Sequence, residues 1–383
     1  MRIAIEAQRI FRKKKHGMDF VVLEMLRELQ QIDHENEYYV FVSPGGDRCL
    51  ESTTHMKVVE LHMPSYPLWE QVALPLAVRR CGAELLHCTS NTAPIFSPVP
   101  LVVTLHDIIF LEKRHGTTSS WYQKMGWYYR RWNVPRILPS CRRVITVSHF
   151  ERENILQATG LGQDKVLTVY NGYSLHFRHH DDWKEMVGRY TREKSFFFFL
   201  GNTDPKKNTR RVLQAYGRYV QKATSPCHLL VADLSTEDIE AILQQDDLQH
   251  IRPYLIIPGY IPHTDLPYIY SAARAFLYPS LRESFGIPLL EAMACGTPVL
   301  SSNTSAIPEI AADAAAMVDP TDVEAMAGQL QRLDREEAYR RELVERGYRR
   351  CAQFSWRQTA EQVRDIYLQT VGSRATVNNL DLN

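Results

Sequence analysis

No Cys-x-x-Cys pair occurs in this chain. Its seven cysteines are scattered and odd in number, which argues against a zinc site and for a reducing compartment. Charge of one sign is not in excess: 45 Lys and Arg against 44 Asp and Glu leave +1, so a nucleic-acid partner is not expected. Long hydrophobic runs are missing as well, since a stretch such as Phe196 to Leu200 is far too short to cross a membrane. Met1 to Ile5 already reads as a strand, which leaves no room for a signal peptide, and a cytoplasmic location is expected, with peripheral association on the inner face of the membrane left open. No Gly-x-Gly-x-x-Gly follows the first strand, which disfavours a nicotinamide dehydrogenase. No Asp-x-Asp follows an apolar strand, so neither a catalytic metal nor another cofactor is expected.

What remains is a soluble composition, 44% hydrophobic and 23% charged, on 383 residues, enough for two domains of ordinary size. The most informative stretch is Arg282-Glu283-Ser284-Phe285-Gly286-Ile287-Pro288-Leu289-Leu290-Glu291, continued to Pro298. Ala275 to Tyr278 reads as a buried strand ended by Pro279 and Ser280. A helix is expected from Gly286 or Ile287, because Pro288 suits only a first turn, and it should end at Gly296. Strand, loop, helix and strand in this order belong to a parallel α/β sheet. The N–H groups of Gly286, Ile287 and Leu289 would then lie at a helix start that favours an anion. Glu283 would precede the helix, and Glu291 would lie one turn inside it, roughly 6 Å along the axis.

Elsewhere the chain repeats this grammar. A first strand over 2–7 leads through Arg9 to Gly17 into a helix with Phe20, Met25 and Leu29 at helical spacing; the basic residues 12–15 are read as a solvated loop in preference to an acceptor-phosphate site. Leu101 to Leu105 ends in His106-Asp107, either a local capping pair or a site histidine at a strand end, the second reading being preferred. Trp121, Met125, Tyr128 and Trp132 fall on one helical stripe, expected to pack on the sheet rather than to face a membrane. The polar, histidine-rich stretch from Tyr173 to Lys194 lacks a fixed ligand spacing and reads as an interdomain linker rather than a metal site. After the strand Phe196 to Leu200, Gly201 and then Lys207 stand before a helix, which suits a diphosphate.

Glu283-Ser284-Phe285-Gly286 through Glu291-Ala292, followed by Gly296-Thr297-Pro298-Val299, resembles the Glu-x7-Glu motif of retaining glycosyltransferases of family 4, with mannosyltransferases the nearest in phrasing. The resemblance implies an α/β GT-B fold, two Rossmann-like doubly wound parallel-sheet domains facing a cleft. Residues 1–175 would form the acceptor side and 176–355 the donor side, with 356–383 crossing back to the first. It implies transfer of a hexose from a nucleotide diphosphate sugar, GDP-mannose ahead of UDP-sugars, to a saccharide acceptor, lipid-linked, in polysaccharide assembly. Glu283 and His106 would act on the sugar. Gly17, Gly201, Asn202, Lys207, Tyr260, Ile261, Ser284, Phe285, Gly286, Ile287 and Glu291 would hold the donor, with Glu291 on the ribose and Tyr260 and Ile261 at the base. Three positions depart from the usual pattern: Ser284 stands where glycine is commoner, Gly17 is a single glycine where two are frequent, and Asn202 replaces an arginine. A nucleotide-sugar epimerase and a non-catalytic sugar-binding protein are the rival readings.

Overall fold

The structure, a computed structural model, describes residues 1–111 and 121–378, with side chains for 1–111 and 124–372. The chain forms two compact units. The first comprises Met1–Gly172 together with the chain from Trp356 onward, and the second Tyr173–Ser355.

The first unit is built on seven strands: β1 (Arg2–Glu6), β2 (Glu37–Val42), β3 (Met56–Glu60), β4 (Leu85–Cys88), β5 (Leu101–Thr104), β6 (Arg143–Thr146) and β7 (Val166–Thr168). They pair in the order β3-β2-β1-β4-β5-β6-β7, every pair parallel. β4 and β5 are buried at each residue, as expected where helices cover both faces of a parallel sheet. The helix Gly17–Ile32 lies on one face beside the long final helix Trp356–Asn378, their apolar sides meeting through Val22, Leu26, Leu29, Val363 and Tyr367. Two polar ties fix that final helix: Tyr367 OH lies 2.6 Å from His87 Nδ1, and Thr359 Oγ1 donates to Tyr170 O at 2.7 Å. The helix runs past Ser373, where the sequence suggests a frayed tail.

The second unit has six strands: β8 (Phe196–Leu200), β9 (His228–Ala232), β10 (Leu255–Gly259), β11 (Ala275–Tyr278), β12 (Val299–Ser302) and β13 (Ala316–Val318). Their order is β10-β9-β8-β11-β12-β13, again all parallel. Strand order reverses between β8 and β11 here, and between β1 and β4 in the first unit. In open α/β sheets ligands bind beyond the carboxyl ends of the strands at such a reversal.

Three expectations are corrected. Residues 173–194 are not a bare linker: Phe177 is buried against Tyr270, His179 Nδ1 lies 2.9 Å from Cys295 O, and Tyr190 OH donates to Asp265. The basic run is not wholly solvated, because Lys15 turns inward onto Asp47 and the Arg12 carbonyl. The aromatic stripe does not pack on the sheet. Met125, Tyr128 and Trp132 are 51%, 63% and 45% exposed, while the Trp121 side chain lies outside the described residues. Met125, Tyr128 and Trp132 stand on the outward face of the helix.

Candidate active site

The loops after β8 and β11 are joined to each other before any ligand is considered. Gly201 closes β8 with its N–H on Ala232 O; a Cβ there would stand 2.4 Å from Leu234 Cδ1 and 3.0 Å from Ala232 O, so only glycine fits. Asn202 is tied to Thr209, whose hydroxyl donates to the Asn202 carbonyl at 2.7 Å. A short turn, Pro205–Lys207, is capped by Asp204 and followed by Asn208 in the left-handed region. The Asn208 amide donates to Pro279 O at 3.0 Å and Pro320 O at 2.7 Å, fastening this loop to those after β11 and β13. Leu281 N donates to Lys206 O at 2.7 Å and completes the clamp.

Lys207 and Glu283 meet across it. Lys207 Nζ is 2.7 Å from Glu283 Oε1 and sits over the ring of buried Tyr278 at 5.1 Å. Burial and the Glu283 charge push the Tyr278 hydroxyl well above the usual phenol range, so it stays protonated and able to donate. Glu283 is fixed from behind, its N–H on Ser305 Oγ at 3.0 Å and its carbonyl accepting from Ala306 N. Arg211, four residues beyond Lys207, points back to Asn208 Oδ1 at 3.1 Å.

The helix that follows is Ile287–Ala294, entered through Gly286 at φ 106° and left through Gly296 at φ 74°. Both turns lie where the glycines and Pro288 place them. One detail differs: Leu289 N bonds the Gly286 carbonyl at 3.0 Å, leaving the N–H groups of Gly286 and Ile287 at the helix start. Glu291, 7% exposed, lies in the second turn with His263 Nε2 at 3.7 Å from its Oε1. His263 in turn packs edge-on against Phe177 at 5.0 Å. Phe285 is buried on Phe354, which makes it a packing residue of the loop, whereas Ser284 remains part-exposed beside Glu283. Tyr260, 71% exposed, presents its ring at the end of β10, and the adjacent Ile261 is buried.

Two of the expected residues lie in the first unit. Gly17 opens the helix Gly17–Ile32, with nothing within 4 Å of where a Cβ would stand. His106 follows β5 and is buried, its Nε2 at 2.9 Å from Thr89 O and its backbone N–H on Asn91 Oδ1 at 2.7 Å. A carbonyl only accepts, so Nε2 carries the proton and Nδ1 is left as the acceptor. Burial lowers the His106 pKa, partly offset by the Thr89 carbonyl and the charges of Asp107 and Asp19, and the ring is neutral near pH 7. Asp107 does cap locally, accepting from Ile109 N at 3.1 Å. Asp19 belongs to the first turn of the helix that Gly17 opens, so His106 and that helix start are neighbours.

Sequence reasoning missed His263, Tyr278 and Ser305, which lie against the two glutamates, and Asn208, which fastens the loop of Lys207 to those after β11 and β13. It also missed a buried cluster in the first unit, where Glu70 accepts from Tyr66, Thr92, Gln71 and Tyr129. Burial raises the Glu70 pKa against the hydrogen bonds from Thr92, Tyr129 and Tyr66. Among the described residues no group of three or more His, Cys, Asp or Glu is arranged to hold a metal ion.

Two parallel sheets, each with a single reversal, and a lysine and two glutamates at the reversal of the second, define the GT-B class of glycosyltransferase. Residues 16–177 match the family model described as Glycosyltransferase Family 4, and residues 182–350 match Glycosyl transferases group 1. The chain belongs to glycosyltransferase family 4. It is similar to O-antigen chain mannosyltransferase B of Escherichia coli, 29% identical over 269 residues that span 70% of this chain and 69% of that protein. It is also similar to the serotype-specific mannosyltransferase WbdA of Escherichia coli, 28% identical over 57% of this chain but only 27% of that longer protein. Among solved structures, sucrose-phosphate synthase from Thermosynechococcus elongatus shares the fold at a TM-score of 0.73 and 20% identity, over 97% of this chain and 99% of that one. No described helix is long and apolar enough to cross a membrane.

Proposed function

We propose that the protein is a retaining mannosyltransferase that takes GDP-mannose as donor and a saccharide hydroxyl, lipid-linked, as acceptor in polysaccharide assembly. The observation that carries this reading is the Lys207–Glu283 contact at the β8/β11 reversal, on the loop that leads into the helix Ile287–Ala294. Lys207 would turn to the donor diphosphate, aided by the N–H groups of Gly286 and Ile287 and by the close approach that Gly201 and Asn202 permit. The charge of the departing diphosphate is thereby met by the protein, and the reading assigns no metal and no cofactor. Glu283, released from Lys207, would accept from hydroxyls of the transferred hexose. Glu291 would hold the ribose hydroxyls, with His263 beside it, and Tyr260 and Ile261 would flank the base.

In the first unit, His106 Nδ1 would accept from a hydroxyl of sugar or acceptor, and the Gly17 turn would approach the donor phosphates. Attack and departure on one face of the sugar retain the anomeric configuration with no protein nucleophile. Mannose is favoured because both relatives described above are mannosyltransferases by name; a UDP-sugar donor is the second reading, since Tyr260 and Ile261 would meet the base through backbone groups. The test is incubation with GDP-mannose and a lipid-linked saccharide, with chelator present, and determination of the new anomeric linkage by NMR. An α-linked mannoside is expected. Release of free mannose or an epimerised donor without acceptor would point instead to an epimerase-like enzyme, and no turnover of any donor to a binding protein.

A further inference from the structure

Tyr278 ends β11 in a setting that leaves its hydroxyl little freedom. The side chain is buried, its ring stacks on Phe276 at 5.6 Å, and its carbonyl accepts from Ser301 Oγ at 2.8 Å. Lys207 Nζ stands 5.1 Å from the ring centroid and 3.4 Å from the hydroxyl oxygen. The same hydroxyl shares a hydrogen bond with the Glu283 side chain. The Lys207–Glu283 contact is therefore a group of three: a cation, a carboxylate and a neutral hydroxyl that the strand holds still.

The direction of each bond follows from what each group can do. An ammonium has no lone pair and a carboxylate has no proton, so the single phenol proton points to Glu283 and the oxygen lone pair faces Lys207. Burial first, and then the charge of Glu283, keep that proton on the phenol, and the more distant Glu291 acts in the same sense. The three groups differ in mobility. The lysine ammonium rides on a flexible stem, whereas the phenol hydroxyl stays with its packed ring.

The difference matters when a diphosphate takes Lys207. Glu283, with a side chain 12% exposed, then loses its cation where little water can replace it. A charge in that position is costly unless a donor remains. The Tyr278 hydroxyl does not leave with the lysine. We propose that Tyr278 is a positioning residue, which keeps the Glu283 carboxylate charged and aimed at the sugar once Lys207 has turned to the donor diphosphate. The proposal rests on the role of Lys207 at the diphosphate given above, and it makes the effect of Tyr278 pass through Glu283.

The test is a double-mutant cycle read by calorimetry with GDP and with guanosine, on the parent, Tyr278→Phe, Glu283→Gln and the double variant. Turnover of GDP-mannose is measured on the same preparations. Phenylalanine keeps the stack on Phe276 and the ring beneath Lys207, so Tyr278→Phe should fold. Tyr216→Phe is the control, because it removes another buried hydroxyl of the same unit, one that donates to Cys227 O at 2.8 Å. Tyr278→Phe should weaken GDP about tenfold and guanosine by less than about twofold, since only phosphate binding strands the carboxylate. On the Glu283→Gln background the same substitution should change GDP affinity by less than about twofold, because an amide leaves no charge to strand. Turnover should fall about tenfold in Tyr278→Phe and no further in the double variant than in Glu283→Gln. Tyr216→Phe should move none of these. Equal loss of GDP affinity on both backgrounds, or parental GDP affinity and turnover in Tyr278→Phe, would overturn the proposal. A parent that binds GDP no better than guanosine would overturn the role of Lys207 itself.

Discussion

Lys207 Nζ and Glu283 Oε1 lie 2.7 Å apart, with side chains 24% and 12% exposed, so a cation of the candidate site is engaged by a carboxylate of the same site. The pair joins the loops after β8 and β11, and a ligand that takes either partner must release it from the other. Binding and chemistry should therefore respond differently at the two ends of this contact.

Glu283→Gln frees the lysine. The affinity for a nucleoside diphosphate should not fall, yet turnover should drop by about a hundredfold or more, the scale for a positioned polar group lost from a transition state. Calorimetry with GDP and a transfer assay on the same preparation check this. Parental turnover would remove Glu283 from the mechanism.

Lys207→Met should weaken diphosphate-containing ligands far more than the nucleoside, since the lysine meets only phosphates. It also leaves Glu283 without its cation, so a lower melting temperature is expected. Equal losses for GDP and guanosine would give Lys207 a packing role instead.

Glu291→Gln should weaken GDP as well as GDP-mannose, by about 1.5–3 kcal/mol for charge-assisted ribose bonds. His263→Ala should act in the same direction and more weakly, because it only flanks the carboxylate. Titration of free GDP separates this from effects on the sugar. Unchanged GDP binding by Glu291→Gln would rule out the ribose assignment.

Gly286→Ala should destabilise the second unit by about 1–3 kcal/mol. Its φ of 106° is foreign to a side chain, and the new Cβ would stand 3.1 Å from Leu289 Cδ1 and 3.2 Å from Ile307 Cδ1. Chemical denaturation measures this directly.

His87 makes the first unit acid-sensitive. Burial pushes its pKa down to about 3, and its nitrogens face Tyr367 OH and Thr104 Oγ1. Below the ordinary value of 6.5 the unfolded chain binds a proton that the folded one refuses, so stability falls with acidification down to about pH 3. The slope is about 1.4 kcal/mol per pH unit for this one group. His106, lowered in the same direction, adds to it. A His87→Gln protein should lose less stability than the parent between pH 6.5 and pH 4, read by denaturant titration at each pH.

How much of this was legible depended on how local each signal is. The unit from Ala275 to Val299 could be read almost residue by residue, because Pro288, Gly286 and Gly296 fix their own backbone and so fix the helix ends. The pairing of Lys207 with Glu283 could not, since it depends on β8 and β11 becoming neighbours across 76 residues. The same holds for Lys15 and Asp47, and for Phe177 and His179 against partners about a hundred residues on. Periodicity put Met125, Tyr128 and Trp132 on one face but carries no information about which face meets the sheet. Glu70 gave no sign of its role, because its four donors converge only through the wide helical turn Trp69–Ala73 and the approach of the helix Trp121–Ile137.

The central claim is that the β8/β11 reversal binds a nucleotide diphosphate sugar through Lys207 and Glu291. Its most direct test is the thermal shift of the intact protein with GDP-mannose, UDP-glucose, GDP, UDP and the two nucleosides. A ligand at 100 times its dissociation constant adds about 2.7 kcal/mol of stability. The largest shift is expected with GDP-mannose, a smaller one with GDP, and loss of both in the Glu291→Gln and Lys207→Met proteins. A parent that no nucleotide or nucleotide sugar stabilises, or whose stabilisation survives both substitutions, would contradict it.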